Sequence, residues 1–255
     1  MLSLGFTTLY HLQTIAPFVF FTTLLVYTGQ RYYKMNFTNV LTFTPRIKWM
    51  MENKKLVESI LAAALIGVII FGLPLLFATR FNLIIISICA VISVFYVIKI
   101  GKKNLREVSG LKVFLITIVY FIIICILPFQ SLKWFQEVYP SLIFVLFFIF
   151  QYLYILGITV LFDIPDITHD DKSLKTLAQI VGIRRTVFYS IFLIIPLLIV
   201  LIFEAGNSPL TWIFIAVHIP FYYFLLKNRN NHFYLAFFGE GILGLLGVYC
   251  VLISQ

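Results

Sequence analysis

Charged residues are scarce in this chain, and their scarcity excludes most classes of soluble protein. Only 11% of the 255 residues are charged, whereas 62% are hydrophobic and the mean hydropathy is +1.03. No polar stretch is long enough to form a separate soluble domain, so the composition predicts a single transmembrane domain over 1–255. The net charge of +9 would suggest nucleic acid in a soluble protein. In a membrane protein basic residues first indicate orientation, and we therefore expect no nucleic-acid partner.

Cysteine is also rare, and its placement argues against disulfides and zinc sites. Cys89, Cys125 and Cys250 each lie within an apolar run, with neither a C-x-x-C pair nor a histidine at ligand spacing. We therefore expect any chemistry of this chain to depend on other residues.

Apolar runs long enough to cross a bilayer recur eight times along the chain. A hydrocarbon core of roughly 30 Å requires about 17–25 residues of helix, and a helix satisfies its backbone hydrogen bonds within its own segment. The runs lack the alternation of apolar and polar residues that marks barrel strands. The sequence thus predicts an all-α membrane bundle of about eight helices, over 5–28, 56–77, 81–98, 113–129, 141–162, 187–203, 209–226 and 233–253.

The basic residues fall mainly on one side of this predicted topology. Of the 19 Lys and Arg, 17 lie in the connections after the first, third, fifth and seventh runs, and only Arg80 and Lys133 lie in the others. Because cytoplasmic connections are enriched in Lys and Arg, both termini are predicted outside and those four connections inside. Orientation and contacts with lipid headgroups explain most of these charges.

All four aspartates of the chain lie within nine residues, at the end of the fifth run. On a helix, offsets of 0, 3 and 7 place Asp163, Asp166 and Asp170 on one face, whereas Asp171 points about a quarter-turn away. Like charges this close repel one another, so a cation or a proton is expected to compensate them. Mg²⁺ prefers oxygen ligands and is commonly held by one or two carboxylates together with a substrate phosphate. These three aspartates are therefore the candidate metal ligands and catalytic residues.

Basic residues follow the acidic cluster directly. Lys172, Lys175, Arg184 and Arg185 could neutralise diphosphate oxygens that a metal leaves uncovered, so we take them as candidate substrate-binding residues. A solvated acidic helix end, balanced by its own lysines, would have the same composition. The predicted position at the cytoplasmic membrane boundary favours a metal site, because an amphiphile with an anionic head could reach it from the bilayer.

The aspartates and the residues after them form a motif with fixed spacing: Asp163, Asp166, Asp170, Lys175-Thr176-Leu177-Ala178 and Gly182. This motif resembles the second aspartate-rich motif of the UbiA-type intramembrane prenyltransferases. The resemblance implies a helical bundle, usually of nine helices, that binds a prenyl diphosphate through Mg²⁺ on the cytoplasmic side. It also implies ionisation to an allylic cation, which an aromatic ring or another hydrophobic acceptor captures.

The chain departs from that family in its first motif and in its helix count. No aspartate precedes Asp163, so the first magnesium site of the family is not carried over. Some bacterial members have a similarly degenerate first motif with a Tyr and an Arg, which Tyr27 and Arg31 resemble; the resemblance thus implies a bacterial inner-membrane protein. Eight runs instead of nine imply either a start upstream of Met1 or a bundle without the family's first helix.

Three functions stay open at this point. The first is transfer of a prenyl group, with Mg²⁺ as cofactor. The second is a non-catalytic relative that binds isoprenoid lipid or acts as a membrane scaffold, suggested by the missing first motif. The third is a transporter that uses Glu240 in the last run, although the chain has no clear inverted repeat.

Arg31 provides a test of the degenerate first motif. A guanidinium can pair with a phosphate without any carboxylate, so Arg31→Ala should weaken binding of a prenyl diphosphate by about tenfold or more, the usual range for a charged hydrogen bond. Equilibrium binding of a labelled prenyl diphosphate to the purified protein measures this. An unchanged affinity would leave Arg31 with a topological role alone.

Overall fold

The computed structural model describes residues 2–37, 45–97, 105, 108, 110–127, 141–167, 176–204, 209–227 and 242. All regular secondary structure in these ranges is helical. Contacts divide the chain into two compact units, residues 1–105 and residues 106–255. The single domain that the composition suggests is left as a prediction.

The first unit contains four helices. They are α1 (Leu2–Phe37), α2 (Pro45–Glu52), α3 (Lys54–Ala78) and α4 (Arg80–Val97). Within this unit, α1 packs most extensively against α3, and α4 also packs mainly against α3.

Two glycines of α3 allow α1 to approach it closely. A Cβ atom on Gly67 would overlap the ring of Phe21, and one on Gly72 would lie 2.9 Å from Cε2 of Phe18. Phe21 also stacks on Phe71, with ring centroids 5.8 Å apart. Phe18 and Phe21 of α1 therefore occupy space that only the smallest side chain leaves open, and this lets the two helices approach each other closely.

The chain turns from α3 into α4 through a single residue, Thr79. Its hydroxyl accepts a hydrogen bond from the Asn82 backbone N–H at 3.0 Å, as an N-cap does. The Asn82 side chain donates to the Leu75 carbonyl at 3.1 Å and so satisfies one of the free carbonyls at the end of α3. Because both helix ends are capped by these two side chains, no loop is needed between the helices.

The second unit contains the remaining described helices. They are α5 (Leu111–Phe121), α6 (Ser141–Leu161), α7 (Asp163–Asp166), α8 (Leu177–Val181), α9 (Ile183–Glu204) and α10 (Pro209–Lys227). A π-helical turn, Ile122–Ile126, continues α5. Helix α6 packs against both α5 and α9, and α10 packs against α9.

Helix α6 becomes enclosed towards its C-terminal end. Side chains near its start, such as Leu142 and Val145, are exposed, whereas the five consecutive residues 157–161 are all buried. Since one helical turn has 3.6 residues, five buried residues in a row are covered on every side. The end of α6 that leads into the acidic segment is thus the centre of this unit, whose core includes Tyr154, Ile158 and Leu161.

A glycine again sets the closest approach in the second unit. A Cβ atom on Gly157 of α6 would lie 2.9 Å from the Ser190 carbonyl oxygen and 3.0 Å from Cγ1 of Ile194, both on α9. Larger side chains at position 157 would push these two backbones apart. Buried threonines near this contact donate to carbonyls one turn back in their own helices, as Thr159 does to Ile155 at 2.7 Å.

The structure confirms helices in seven of the eight predicted apolar runs. The eighth, 233–253, lies outside the described residues apart from Ile242. Within the described ranges, α3 and the Ile183–Phe203 part of α9 are long and apolar enough to cross a membrane, and four other helices contain shorter apolar stretches. Helix α2 was not predicted, because eight residues of mixed polarity are too few to stand out from a connection.

The contact at Gly67 predicts the effect of adding one methyl group. Gly67→Ala should lower the free energy of unfolding by about 1–3 kcal/mol, because Cγ of Phe21 is too close to its own backbone to move away. Gly29→Ala is the matched control: its new Cβ would meet only Cδ2 of Leu61 at 3.9 Å, so the higher helix propensity of alanine should leave stability equal or raised.

Denaturant titration of the purified protein in detergent measures both changes. In a Phe21→Ala background the Gly67→Ala change should cost less than it does in the original protein, because the ring that the new methyl group overlaps is gone. Equal stability of the two single variants would contradict this account of the α1–α3 contact.

Candidate functional site

Helix α6 ends in a tighter turn immediately before the acidic segment. Phe162 forms a turn in which its backbone N–H donates to the Thr159 carbonyl at 3.0 Å, one residue nearer than in an α-helix. The short helix α7 follows, from Asp163 to Asp166, with Pro165 in its first turn, where a missing N–H does no harm. The turn at Phe162 therefore determines the direction of the Asp163 side chain relative to α6.

Asp163 forms an ion pair with a lysine of another helix. Nζ of Lys112 lies 2.9 Å from Oδ1 of Asp163, which is close enough for a charge-assisted hydrogen bond. Lys112 is the second residue of α5, whose N-cap, Gly110, has a φ of 74° that favours glycine. The pair therefore links the start of α5 to the end of α6.

Both members of this pair are removed from solvent. The side chain of Asp163 is 2% exposed and that of Lys112 is 9% exposed, and the adjoining Leu161 and Ile164 belong to the apolar core. Two charges withdrawn from water each lose several kcal/mol of hydration, which only a close partner and further hydrogen bonds offset. Each charge thus depends on the other, and the pair fixes where α5, α6 and α7 meet.

The other predicted metal ligands are only partly described. The backbone of Asp166 ends α7 one turn after Asp163, so the two residues share the short helix as the sequence predicts. Asp170, Asp171, Lys172 and Lys175 lie outside the described residues. Within the ranges that are described, no three His, Cys, Asp or Glu side chains come together. The three-aspartate site is therefore left as a prediction.

The Thr-Leu-Ala and Gly part of the motif shapes the return of the chain. Thr176 caps α8 in a reciprocal capping box, in which its hydroxyl accepts from the Gln179 N–H at 3.3 Å and the Gln179 side chain accepts from the Thr176 N–H at 3.1 Å. Ala178 is buried in the core, and Gly182 has a φ of 83°, where a side chain would be strained. These residues hold α8 against α6, α7 and α9, so their role is structural.

Arg184 and Arg185 lie in the first turn of α9, and both are exposed. Helix α9 starts directly after Gly182, and α8, which precedes it, contacts α7. The two arginines therefore follow the acidic segment closely in sequence and are accessible to an anionic ligand.

Tyr27 and Arg31 belong to the first unit. They lie one turn apart on α1, with the Arg31 guanidinium carbon 5.7 Å from the centroid of the Tyr27 ring, a cation–π arrangement. One residue further on, the hydroxyl of Tyr32 donates to Oε1 of Glu58 on α3 at 2.6 Å, and this carboxylate raises the pKa of the Tyr32 phenol. The proposed role of Tyr27 and Arg31 in diphosphate binding is left as a prediction.

Two polar contacts in the core of the second unit were not predicted from the sequence. Nδ1 of His218 donates to the Phe214 carbonyl at 2.8 Å, so in the neutral imidazole Nε2 must accept the hydrogen bond from the Tyr154 hydroxyl at 2.5 Å. Ser190 of α9 and Tyr222 of α10 pair at 2.7 Å. Both contacts join α10 to the rest of the unit, and no local sequence pattern distinguishes these side chains from others in an apolar run.

The buried position of Lys112 was not predicted from the sequence either, because this lysine is one of the positive charges assigned to the connection after the third run. A signal was present, since Lys112 follows Gly110 and starts an apolar run instead of lying in the middle of the connection. Its partner could not be known from the sequence, because 51 positions separate it from Asp163.

Comparison with known proteins finds no match: no family model, curated protein or solved structure is similar to this chain. The resemblance to UbiA-type prenyltransferases therefore depends on the sequence motif, and membership of that family is left as a prediction. Function has to be inferred from the residues and their contacts.

The Lys112–Asp163 pair leads to a prediction about stability. Asp163→Asn or Lys112→Met, made singly, should lower the free energy of unfolding by about 3–5 kcal/mol, because each leaves a buried charge without its partner. The double variant Lys112→Met/Asp163→Leu should recover most of this loss, since it removes both charges. A denaturant titration of all four proteins completes the cycle, and strictly additive losses would mean that the two side chains do not interact.

Proposed function

We propose that this chain is an integral membrane protein that binds a prenyl diphosphate at the acidic segment and transfers its prenyl group to an aromatic or other hydrophobic acceptor. The motif from Asp163 to Gly182 and the apolar helices around it support this proposal. We further propose that the acidic segment lies on the cytoplasmic side of a bacterial inner membrane, as the distribution of Lys and Arg favours.

The observation that carries the proposal is the buried Lys112–Asp163 pair at the enclosed end of α6. Buried ion pairs contribute little to stability compared with apolar side chains of the same size. An opposite-charge pair at this position instead provides both a cation for an anionic headgroup and a carboxylate for a metal. Residues of this kind inside a membrane protein mark ligand sites more often than they serve packing.

The carboxylates available at the segment fit Mg²⁺ in donor type. Asp163, Asp166 and Asp170 would hold the ion, which prefers oxygen ligands and keeps part of its coordination for a substrate phosphate. The ammonium of Lys112 lies 2.9 Å from Oδ1 of Asp163, so the ion would have to approach the other carboxylate oxygen. When bound, Mg²⁺ would neutralise charge on the diphosphate as it leaves.

The basic residues would share the remaining charge of the diphosphate. Lys112 is held beside the carboxylate by its ion pair, and Arg184 and Arg185 are exposed at the start of α9. Lys172 and Lys175 are added by the sequence motif. These groups would bind and orient the diphosphate, so that the bond between its bridging oxygen and the allylic carbon breaks and the acceptor forms a new bond to that carbon, losing a proton.

A second candidate is a non-catalytic relative that binds isoprenoid lipid. One observation favours it: Lys112 already supplies Asp163 with a cation, so the carboxylate does not require a metal for charge balance. The first aspartate-rich motif is missing as well. Such a protein would bind the same prenyl diphosphates without releasing diphosphate.

The two candidates differ in one measurable product. We expect the protein in nanodiscs, incubated with labelled geranyl, farnesyl or geranylgeranyl diphosphate, Mg²⁺ and an aromatic acceptor, to release inorganic diphosphate at a rate above that of empty nanodiscs. Saturable binding without release, at every chain length, would favour the non-catalytic relative. Absence of both binding and release would contradict the proposed site.

The double variant Lys112→Met/Asp163→Leu separates the site from the fold. It should remain folded but should bind a prenyl diphosphate at least about tenfold more weakly, since it loses charged hydrogen bonds worth about 1.5–3 kcal/mol each. Arg80→Gln is the matched control, because it removes an exposed positive charge at the start of α4, which the predicted topology assigns to the opposite side of the membrane from the acidic segment. If both variants bind like the original protein, the pair has no part in binding.

A further inference from the structure

We propose that α2 and the first turn of α3 form a lipid-binding surface that lies at the membrane surface. It selects anionic phospholipids through Lys48 of α2 and Lys55 of α3, with Trp49 and Met51 of α2 inserted among the lipids. The proposal concerns a surface of the first unit that the proposed enzymatic site does not use. It depends on the membrane placement proposed above, and the experiment below separates a failure of that placement from a failure of this inference.

Helix α2 has one buried face that attaches it to its own unit. Ile47 and Met50, three residues apart and therefore on one side of the helix, are 4% and 5% exposed. Helix α2 contacts α1 and α3. The helix is thus docked on the unit through a narrow apolar stripe and is not a free connection.

The rest of the helix surface combines large apolar side chains with charges. Trp49 and Met51 are each 48% exposed, and Lys48 and Glu52 beside them are exposed too. An exposed Trp next to Lys is unfavourable in water but typical of the interface between headgroups and hydrocarbon, where the indole ring lies among the lipids and the ammonium reaches the phosphates.

The turn at Asn53 joins α2 directly to the start of the apolar helix α3. The carbonyl of Trp49 accepts hydrogen bonds from the Asn53 backbone N–H at 3.0 Å and from its side-chain amide at 2.9 Å. Helix α3, which is long and apolar enough to cross a membrane, starts at the next residue, Lys54. Since α2 and the end of this span are one residue apart, α2 lies at the depth at which the span leaves the hydrocarbon.

The charges around α2 complement an anionic surface. Glu58 is engaged by the Tyr32 hydroxyl at 2.6 Å and lies 4.0 Å from Nζ of Lys54, so its charge is largely balanced within the unit. Lys48 and Lys55 form no ion pair among the described residues, and both are exposed. They are available to lipid phosphates, and each lysine near an anionic leaflet contributes about a fivefold increase in affinity.

Trp49 itself can report which lipid it contacts. In a variant with Trp134→Phe and Trp212→Phe, Trp49 is the sole tryptophan of the chain. The protein is placed in vesicles that contain equal small fractions of either brominated phosphatidylglycerol or brominated phosphatidylcholine, in unbrominated phosphatidylcholine. We expect brominated phosphatidylglycerol to quench Trp49 several-fold more effectively, because bromine quenches on contact and the lysines concentrate the anionic lipid.

Substitution of the lysines tests the cause of this preference. Lys48→Gln and Lys55→Gln should each lower the preference for phosphatidylglycerol by about fivefold or abolish it, whereas Lys48→Arg should retain it. The companion protein with Trp49→Phe and Trp134→Phe keeps Trp212, an exposed residue near the start of α10, which the predicted topology assigns to the other membrane surface. Its quenching should be insensitive to the substitutions at Lys48 and Lys55.

Three other outcomes would contradict the proposal, each in a different way. Equal quenching of Trp49 by both brominated lipids would overturn the selection of anionic lipid. If Trp212 is quenched by either lipid and Trp49 by neither, α2 faces water or another protein, and the inference fails while the membrane placement stands. If neither tryptophan is quenched, the chain is not embedded in the bilayer, and both the proposed function and this inference fail.

Discussion

The contact between Lys112 and Asp163 is the constraint on which the second unit depends. A carboxylate with 2% of its surface exposed cannot stay ionised in an apolar core without a cation, and the ammonium 2.9 Å away provides one. The pair can form only if the start of α5 meets the end of α6, where Asp163 follows the turn at Phe162. Chain direction, helix packing and the position of the acidic segment are therefore coupled through one interaction.

The two units achieve close packing by the same physical means. The contacts between their helices rely on close van der Waals approach and on polar groups satisfied between the helices. Gly67 admits Phe21 of α1, and Gly157 admits the backbone of α9. Between helices, Tyr154 pairs with His218 and Ser190 pairs with Tyr222, whereas buried threonines such as Thr159 donate to carbonyls of their own helix.

Prediction from the sequence succeeded where the signal was long and failed where it was short. Runs of about 17 or more apolar residues can hardly be anything but helices in lipid, and seven of the eight were confirmed as helices. Helix α2 was missed, since eight residues with two buried positions are no longer than a turn-rich connection. The functional role of the motif around Asp163 stays a prediction, whereas the structure shows that Thr176, Ala178 and Gly182 shape the return of the chain into α9.

The amino-acid sequence by itself determined that the chain is helical and apolar, where most of its helices lie, and that its aspartates are gathered at the end of one of them. These properties are local, because hydropathy and spacing act within a single segment. Only the tertiary structure decided which cation Asp163 meets, which glycines admit a neighbouring helix, and which face of α2 stays exposed. Each of these depends on residues far apart in the chain, and the sequence carries no local record of which of them come into contact.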